Sequence, residues 1–154
     1  MPKVPLSMGV VVQQCTKHIT SLGRASMWEE ALQQLGKLSL LKATPDAIAY
    51  NAAISACERG AQWRMSLELL ADMHRQRLQP NLITYSAAMS ACEKGLRWWQ
   101  ALELFESLQL QRLRPDLIAY SAALSACEKG IRWARALEIL QDLQQERLTP
   151  DIIA

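Results

Sequence analysis

The chain has 154 residues, 50% of them apolar and 21% charged, with 17 Lys and Arg against 15 Asp and Glu for a formal charge of +2. That balance excludes a disordered polymer, and so small a charge gives no bulk electrostatic case for a nucleic-acid partner, which leaves the distribution of charge to decide. No apolar run approaches the roughly 18 residues of a membrane span, and the opening MPKVPLSMGVVV carries no signal-cleavage site, so no membrane partner is expected.

Residues 1–9 hold Pro2 and Pro5 and little pattern, and are expected to be a short disordered lead. From there the chain repeats. The run Pro80 to Arg114 matches Pro115 to Thr149 at 22 of 35 positions, and Pro45 to Gln79 is a further copy. A divergent first unit covers 10–44, with Trp28 at the place of Trp63 but Cys15 for the recurring Tyr and Ala25 for the recurring Gly. Units therefore span 10–44, 45–79, 80–114 and 115–149. Residues 150–154 open a fifth, so the chain reads as a fragment of a longer array or as one whose end a partner covers.

Each unit carries two helical patterns. In the first, Tyr50, Ala53, Ile54 and Cys57 fall at i, i+3, i+4 and i+7, and Gly60 follows as the expected stop. The second runs through Trp63, Ser66, Leu67, Leu70 and Met73, with equivalents Trp98, Ala101, Leu102, Phe105, Leu108 and Trp133, Ala136, Leu137, Leu140, Leu143. Pro80, Pro115 and Pro150, about two residues past the last turn, are expected to end each unit. The fold class is all-α: four helix-turn-helix repeats stacked into an α-solenoid, a superhelix with the first helices lining one surface.

At 100° per residue, the side of the first helix opposite Tyr50 and Cys57 also repeats. Its columns are Gln13, Ile48, Ile83, Ile118; Thr16, Asn51, Ser86, Ser121; Thr20, Ser55, Ser90, Ser125; and Arg24, Arg59, Lys94, Lys129. An apolar residue, a small polar residue, a hydroxyl and a cation on one ridge suit a polymer of stacked units with regular negative charge, which describes single-stranded nucleic acid. The cations would meet phosphates, the isoleucines base faces and the small polar column base edges. Glu58, Glu93 and Glu128, one before each cation, oppose a nonspecific basic groove, so binding would depend on placement.

The 35-residue period, the Tyr-Asn/Ser-Ala-Ala start and the closing Leu-x-Pro-Asp/Asn resemble the pentatricopeptide repeat family, P-type, from about Val10 to Ala154. The resemblance implies single-stranded RNA binding, one nucleotide per repeat, with two side chains reading each base. Carried onto this chain the pairs are Thr16 with Asp46, Asn51 with Asn81, Ser86 with Asp116, and Ser121 with Asp151. The family's code reads Thr or Ser with Asp as guanine and Asn with Asn as cytosine with tolerance for uracil, which gives GCGG from 5′ to 3′. It further implies an adaptor in organellar RNA processing, stability or translation, a mitochondrial or chloroplast location, and processing-factor proteins as partners.

Other columns have plainer readings. Trp28, Trp63, Trp98 and Trp133 read as core rather than as base platforms, with Trp99 as an exposed aromatic. Cys57, Cys92 and Cys127 read as small core residues, because a 35-residue spacing without a His pair gives no zinc geometry. His18 and His74 are expected at the surface. The cation column can instead cap helix C-termini, and Asp46, Asp116 and Asp151 can cap the next helix; both roles stay open. No phosphate loop, nucleophile motif or deaminase signature occurs, so no catalysis, metal, cofactor or small-molecule substrate is expected. The rival reading is a protein-binding scaffold of tetratricopeptide type, from which the 35-residue period separates this chain.

Overall fold

A computed structural model describes residues 8–41, 43 and 45–145. Among these residues there are eight helices and no strand: α1 (Met8–Arg24), α2 (Trp28–Leu40), α3 (Ala47–Arg59), α4 (Trp63–Arg75), α5 (Leu82–Lys94), α6 (Trp98–Leu110), α7 (Leu117–Lys129) and α8 (Trp133–Gln145). The protein is the expected all-α solenoid of helical hairpins. Seven helices have 13 residues and α1 has 17; Met8 and Gly9, assigned to the lead by sequence, belong to α1.

The first helices pack backbone to backbone in the order α1, α3, α5, α7, and each also packs on its own second helix. Second helices make no such mutual approach and are bridged by side chains, as between Gln109 Nε2 and Asp142 Oδ2 at 3.5 Å and Arg135 and Glu106 at 3.5 Å. The first-helix row is thus the tighter, inner one. Between the rows lies a continuous apolar seam. Tyr50, Ala53, Ile54 and Cys57 are buried as the spacing predicts, as are Tyr85, Met89, Cys92 and Tyr120, and Phe105 meets Tyr120 edge-on at 5.6 Å between centroids. Burial pushes the Cys57 and Cys92 thiols up to about 12, so both are protonated at neutral pH and serve as small apolar side chains.

The recurring glycine has a different role from the one its position suggests. Gly60, Gly95 and Gly130 sit at helix C-caps with ordinary negative φ, from −81° to −87°. The left-handed residue comes one later, at Ala61, Leu96 and Ile131, with φ of 54°, 60° and 54°. There the chain closes a Schellman turn: Gln62 N donates to Cys57 O at 2.8 Å and Ala61 N to Glu58 O at 3.1 Å, with the same pair of bonds after α5 and α7. Glycine is needed instead for space, because a Cβ at Gly60, Gly95 or Gly130 would stand 2.4, 2.2 or 2.5 Å from the ring of Trp28, Trp63 or Trp98 of the preceding repeat. Arg97 completes the Trp63 contact, its guanidinium carbon 4.3 Å from the ring centroid, and Arg132 does so for Trp98 at 5.2 Å. Trp28, Trp63 and Trp98 are therefore seams between repeats. Trp133, with no such cover among the described residues, is 72% exposed, against its expected core role.

The prolines do not terminate the second helices. α4 and α6 end at Arg75 and Leu110, a full turn before Pro80 and Pro115, through Schellman turns at Arg77 and Arg112 with φ of 58° and 57°. Buried Pro45, Pro80 and Pro115 instead precede the N-caps Asp46, Asn81 and Asp116. Pro150 and the expected fifth unit at 150–154 lie outside the described residues.

Candidate nucleic-acid interface

Each N-cap residue is placed by the helix it starts. Asp46 Oδ1 accepts from Ala49 N at 2.8 Å, Asn81 Oδ1 from Thr84 N at 3.1 Å and Asp116 Oδ1 from Ala119 N at 2.9 Å. Packing of neighbouring first helices brings two of these caps against the small polar residue of the preceding repeat. Asn51 Nδ2 donates to Asn81 Oδ1 at 3.3 Å, and Ser86 Oγ donates to Asp116 Oδ1 at 3.2 Å. The two roles left open for the aspartate column, cap and pair member, are thus compatible in one side chain. In Asp116 they share Oδ1, which leaves Oδ2 as a further acceptor.

The outer pairs differ. Thr16 is buried, and its hydroxyl donates back to Val12 O at 2.7 Å within α1; Asp46 caps α3, and no hydrogen bond joins the two. Ser121 is exposed on α7, while Asp151 lies outside the described residues.

Exposed isoleucines flank both joined pairs. Ile48, Ile83 and Ile118 are 66%, 61% and 59% exposed, in register along one face. A cleft of about 380 Å³ contains Ile48, Asn51, Asn81 and Ile83, with Arg24 and Arg59 on its wall. One repeat further on, a cleft of about 270 Å³ contains Ile83, Ser86, Asp116 and Ile118. The order apolar, polar pair, apolar is the same in both, and Ile83 serves as a wall of each. Gln13, at the isoleucine position of the first repeat, is exposed on α1.

The cation column is engaged across repeats. Lys94 Nζ pairs with Glu58 Oε1 and reaches Glu58 O at 3.4 Å; Lys129 Nζ pairs with Glu93 Oε1 and reaches Glu93 O at 3.2 Å; Arg59 donates to Gly23 O at 3.3 Å. Arg59, Lys94 and Lys129 therefore each cap a C-terminal carbonyl of the preceding first helix rather than of their own. The glutamates one residue before the cations do not simply dilute a basic groove: Glu58 and Glu93 are the partners of the next repeat's lysines. Ser125 Oγ joins the same carboxylate, donating to Glu93 Oε1 at 2.8 Å. The Lys129 hydrogen bond holds the Glu93 carboxyl below its ordinary 4.5 against an upward push from burial, and the Ser125 hydroxyl adds to the lowering.

Sequence reasoning missed both this clamp and Thr84. The clamp leaves a trace in the sequence, since Glu and Lys recur 36 residues apart, one more than the repeat. Thr84 Oγ1 accepts from Asn81 N at 3.0 Å and bonds Asn51 Oδ1. Its signal is that its column otherwise holds Gln14, Ala49 and Ala119.

A stack of helical hairpins carrying a periodic polar and apolar ridge on its first-helix row defines a helical-repeat solenoid. Family models agree in detail: the PPR repeat family matches residues 45–94, the PPR repeat 83–112 and the pentatricopeptide repeat domain 103–154. The chain belongs to the pentatricopeptide repeat family. No curated protein matches it. Among solved structures it is similar to the pentatricopeptide repeat protein PPR10 in complex with an 18-nt psaJ RNA element, with 26% identity and a TM-score of 0.78, over 98% of this chain and 22% of that one. PPR10 from maize, at 27% identity and a TM-score of 0.75, is matched over 88% of this chain and 20% of that one. The PPR domain of Arabidopsis thaliana protein-only RNase P 1 in complex with tRNA shares the fold, at 15% identity and a TM-score of 0.80, over 91% and 74% of the two chains. The chain thus spans about a fifth of the length of PPR10.

Proposed function

We propose that this chain binds single-stranded RNA, one base per repeat, with each base edge meeting a residue pair that straddles a repeat boundary. Each base face would press on the isoleucines to either side. The observation that carries this reading is the repeated cleft: Ile48, Asn51, Asn81, Ile83 and then Ile83, Ser86, Asp116, Ile118. Exposed apolar side chains at a fixed period, each beside a hydrogen-bonding pair, match the alternation of base face and base edge along a strand. The RNA complexes formed by its structural relatives PPR10 and the RNase P domain support the same partner.

The proposed preference is GCGG. Its second and third bases rest on Asn51–Asn81 and Ser86–Asp116, which are hydrogen-bonded pairs. A carboxylate accepts only, which suits the N–H groups of guanine, whereas two carboxamides offer donors and acceptors to a pyrimidine edge. The first guanine rests on Thr16 and Asp46, and the fourth on Ser121 and Asp151. Phosphates would meet Arg24 and Arg59 on the cleft wall, and would compete with Glu58 and Glu93 for Lys94 and Lys129. In a longer assembly the chain would serve as an adaptor that protects or positions RNA for processing factors in a mitochondrion or chloroplast.

Affinity should be modest. Even base–aromatic stacking, at about 1–3 kcal/mol per base, would give roughly 4–12 kcal/mol over four bases, and isoleucine, lacking a π face, gives less, against an association cost of about 4–15 kcal/mol. Anisotropy titrations of labelled GCGG and UUUU oligomers at low and moderate salt test the proposal. Binding should favour GCGG and fall with rising salt for both; no binding to either at low salt would favour the protein-scaffold alternative.

A further inference from the structure

We propose that Thr84 is a positioning residue for base selection by the Asn51–Asn81 pair, an inference that rests on the RNA-reading function above. A carboxamide can present either its oxygen or its nitrogen to a ligand, and rotation by half a turn exchanges them. An Asn–Asn pair therefore selects a base reliably only if something fixes which end points where. In this protein a closed ring of hydrogen bonds does so.

Asn81 Oδ1 is already committed as the helix-cap acceptor for Thr84 N at 3.1 Å, so only the Nδ2 end of Asn51 can approach it, as it does at 3.3 Å. Thr84 Oγ1 accepts from Asn81 N at 3.0 Å. Its one proton is then free to be donated, and Asn51 Oδ1 is the acceptor within reach. Asn81 Oδ1 also lies 3.0 Å from Thr84 Oγ1, but a hydroxyl has a single proton to give. Two bonds thus select the same orientation of Asn51: nitrogen toward Asn81, oxygen toward Thr84. One Asn51 N–H and the Asn81 amino group remain to face the cleft. Thr84 is fully buried, so solvent does not compete for its hydroxyl.

The neighbouring pair needs no such device and has none. Both oxygens of Asp116 accept, so no half-turn changes what it presents, and the residue equivalent to Thr84 is Ala119. The hydroxyl occurs beside the pair whose chemistry is ambiguous and is absent beside the one whose chemistry is not. Cytosine and uracil differ at N3, an acceptor in one and an N–H donor in the other. Their discrimination is therefore the property most sensitive to how Asn51 is held. Without the hydroxyl, Asn51 keeps one of its two bonds and can swing about it.

The test measures the affinity ratio of GCGG over GUGG for the whole chain and for Thr84→Ala, Thr84→Val and Thr84→Ser. Ala49 and Ala119 occupy the same place at the starts of α3 and α7, so alanine is compatible with the helix; valine keeps the side-chain shape. The ratio should fall roughly two- to tenfold toward parity in the Ala and Val variants, the effect of one lost hydrogen bond. Thr84→Ser should retain it, and the preference for GCGG over GCAG should stay unchanged in all. An unchanged GCGG to GUGG ratio in both Ala and Val, or an equal loss of affinity for every oligomer, overturns the role of Thr84 while the RNA-reading function stands. A wild-type chain that binds no oligomer overturns both.

Discussion

Ile131 and Gly130 show how closely local conformation and side-chain packing can conflict at adjacent residues. Ile131 holds a φ of 54° while 82% exposed, and a β-branched residue there is strained by roughly 1–2 kcal/mol. Glycine, which would sit there without strain, is spent one position earlier to admit Trp98. Ile131→Gly should therefore stabilise the protein, by roughly 1 kcal/mol after the added flexibility of the unfolded chain, read as a higher thermal midpoint. Gly95→Ala should do the reverse: its Cβ would stand 2.2 Å from the Trp63 ring, and the overpacking should cost roughly 1–3 kcal/mol in a denaturant melt. The sequence could not separate these roles, because a glycine at the end of a helical pattern reads as a stop whichever demand placed it.

Between elements, stability and recognition share the same first-helix ends. The Lys129, Glu93 and Ser125 cluster ties α7 to α5 and caps α5 at its C-terminus. Because the Glu93 carboxyl is held below its ordinary 4.5, its contribution is fully present above about that pH and is lost as pH falls through the lower folded-state value. Comparing wild type with Glu93→Gln, the difference in melting temperature should be constant from neutral pH to about 4.5 and close below it. The hairpins themselves were legible in the sequence, because the spacing of Tyr50, Ala53, Ile54 and Cys57 needs only the helical period. The clamp was not, because its partners belong to different repeats and the register of one first helix on the next is a packing result. The early ends of α4 and α6 are hidden for a local reason: the Schellman turns that close them use arginine at positive φ, where no residue type marks a stop.

At the scale of the molecule, the helical period exposes the small polar member of each joined pair, and the family resemblance alone implies its partner in the next repeat. Ser86 and Asp116 lie 30 residues apart and meet only because α5 and α7 pack side by side. Thr16 and Asp46 stand at the same spacing without a bond, since the Thr16 hydroxyl turns back into its own helix. Spacing identifies candidates, and local hydrogen-bond competition decides which become pairs. The central claim, that a pair spanning two repeats reads one base, is tested most directly by Asp116→Asn. Asparagine is as good an N-cap as aspartate, and Asn81 already caps α5, so α7 should form as before. The change converts an acceptor-only carboxylate into a group that also donates. Anisotropy on GCGG and GCAG oligomers should show the third-base preference moving from guanine toward adenine, with the second-base preference unaltered. A variant that folds, binds RNA and still prefers guanine at the third base would contradict the account.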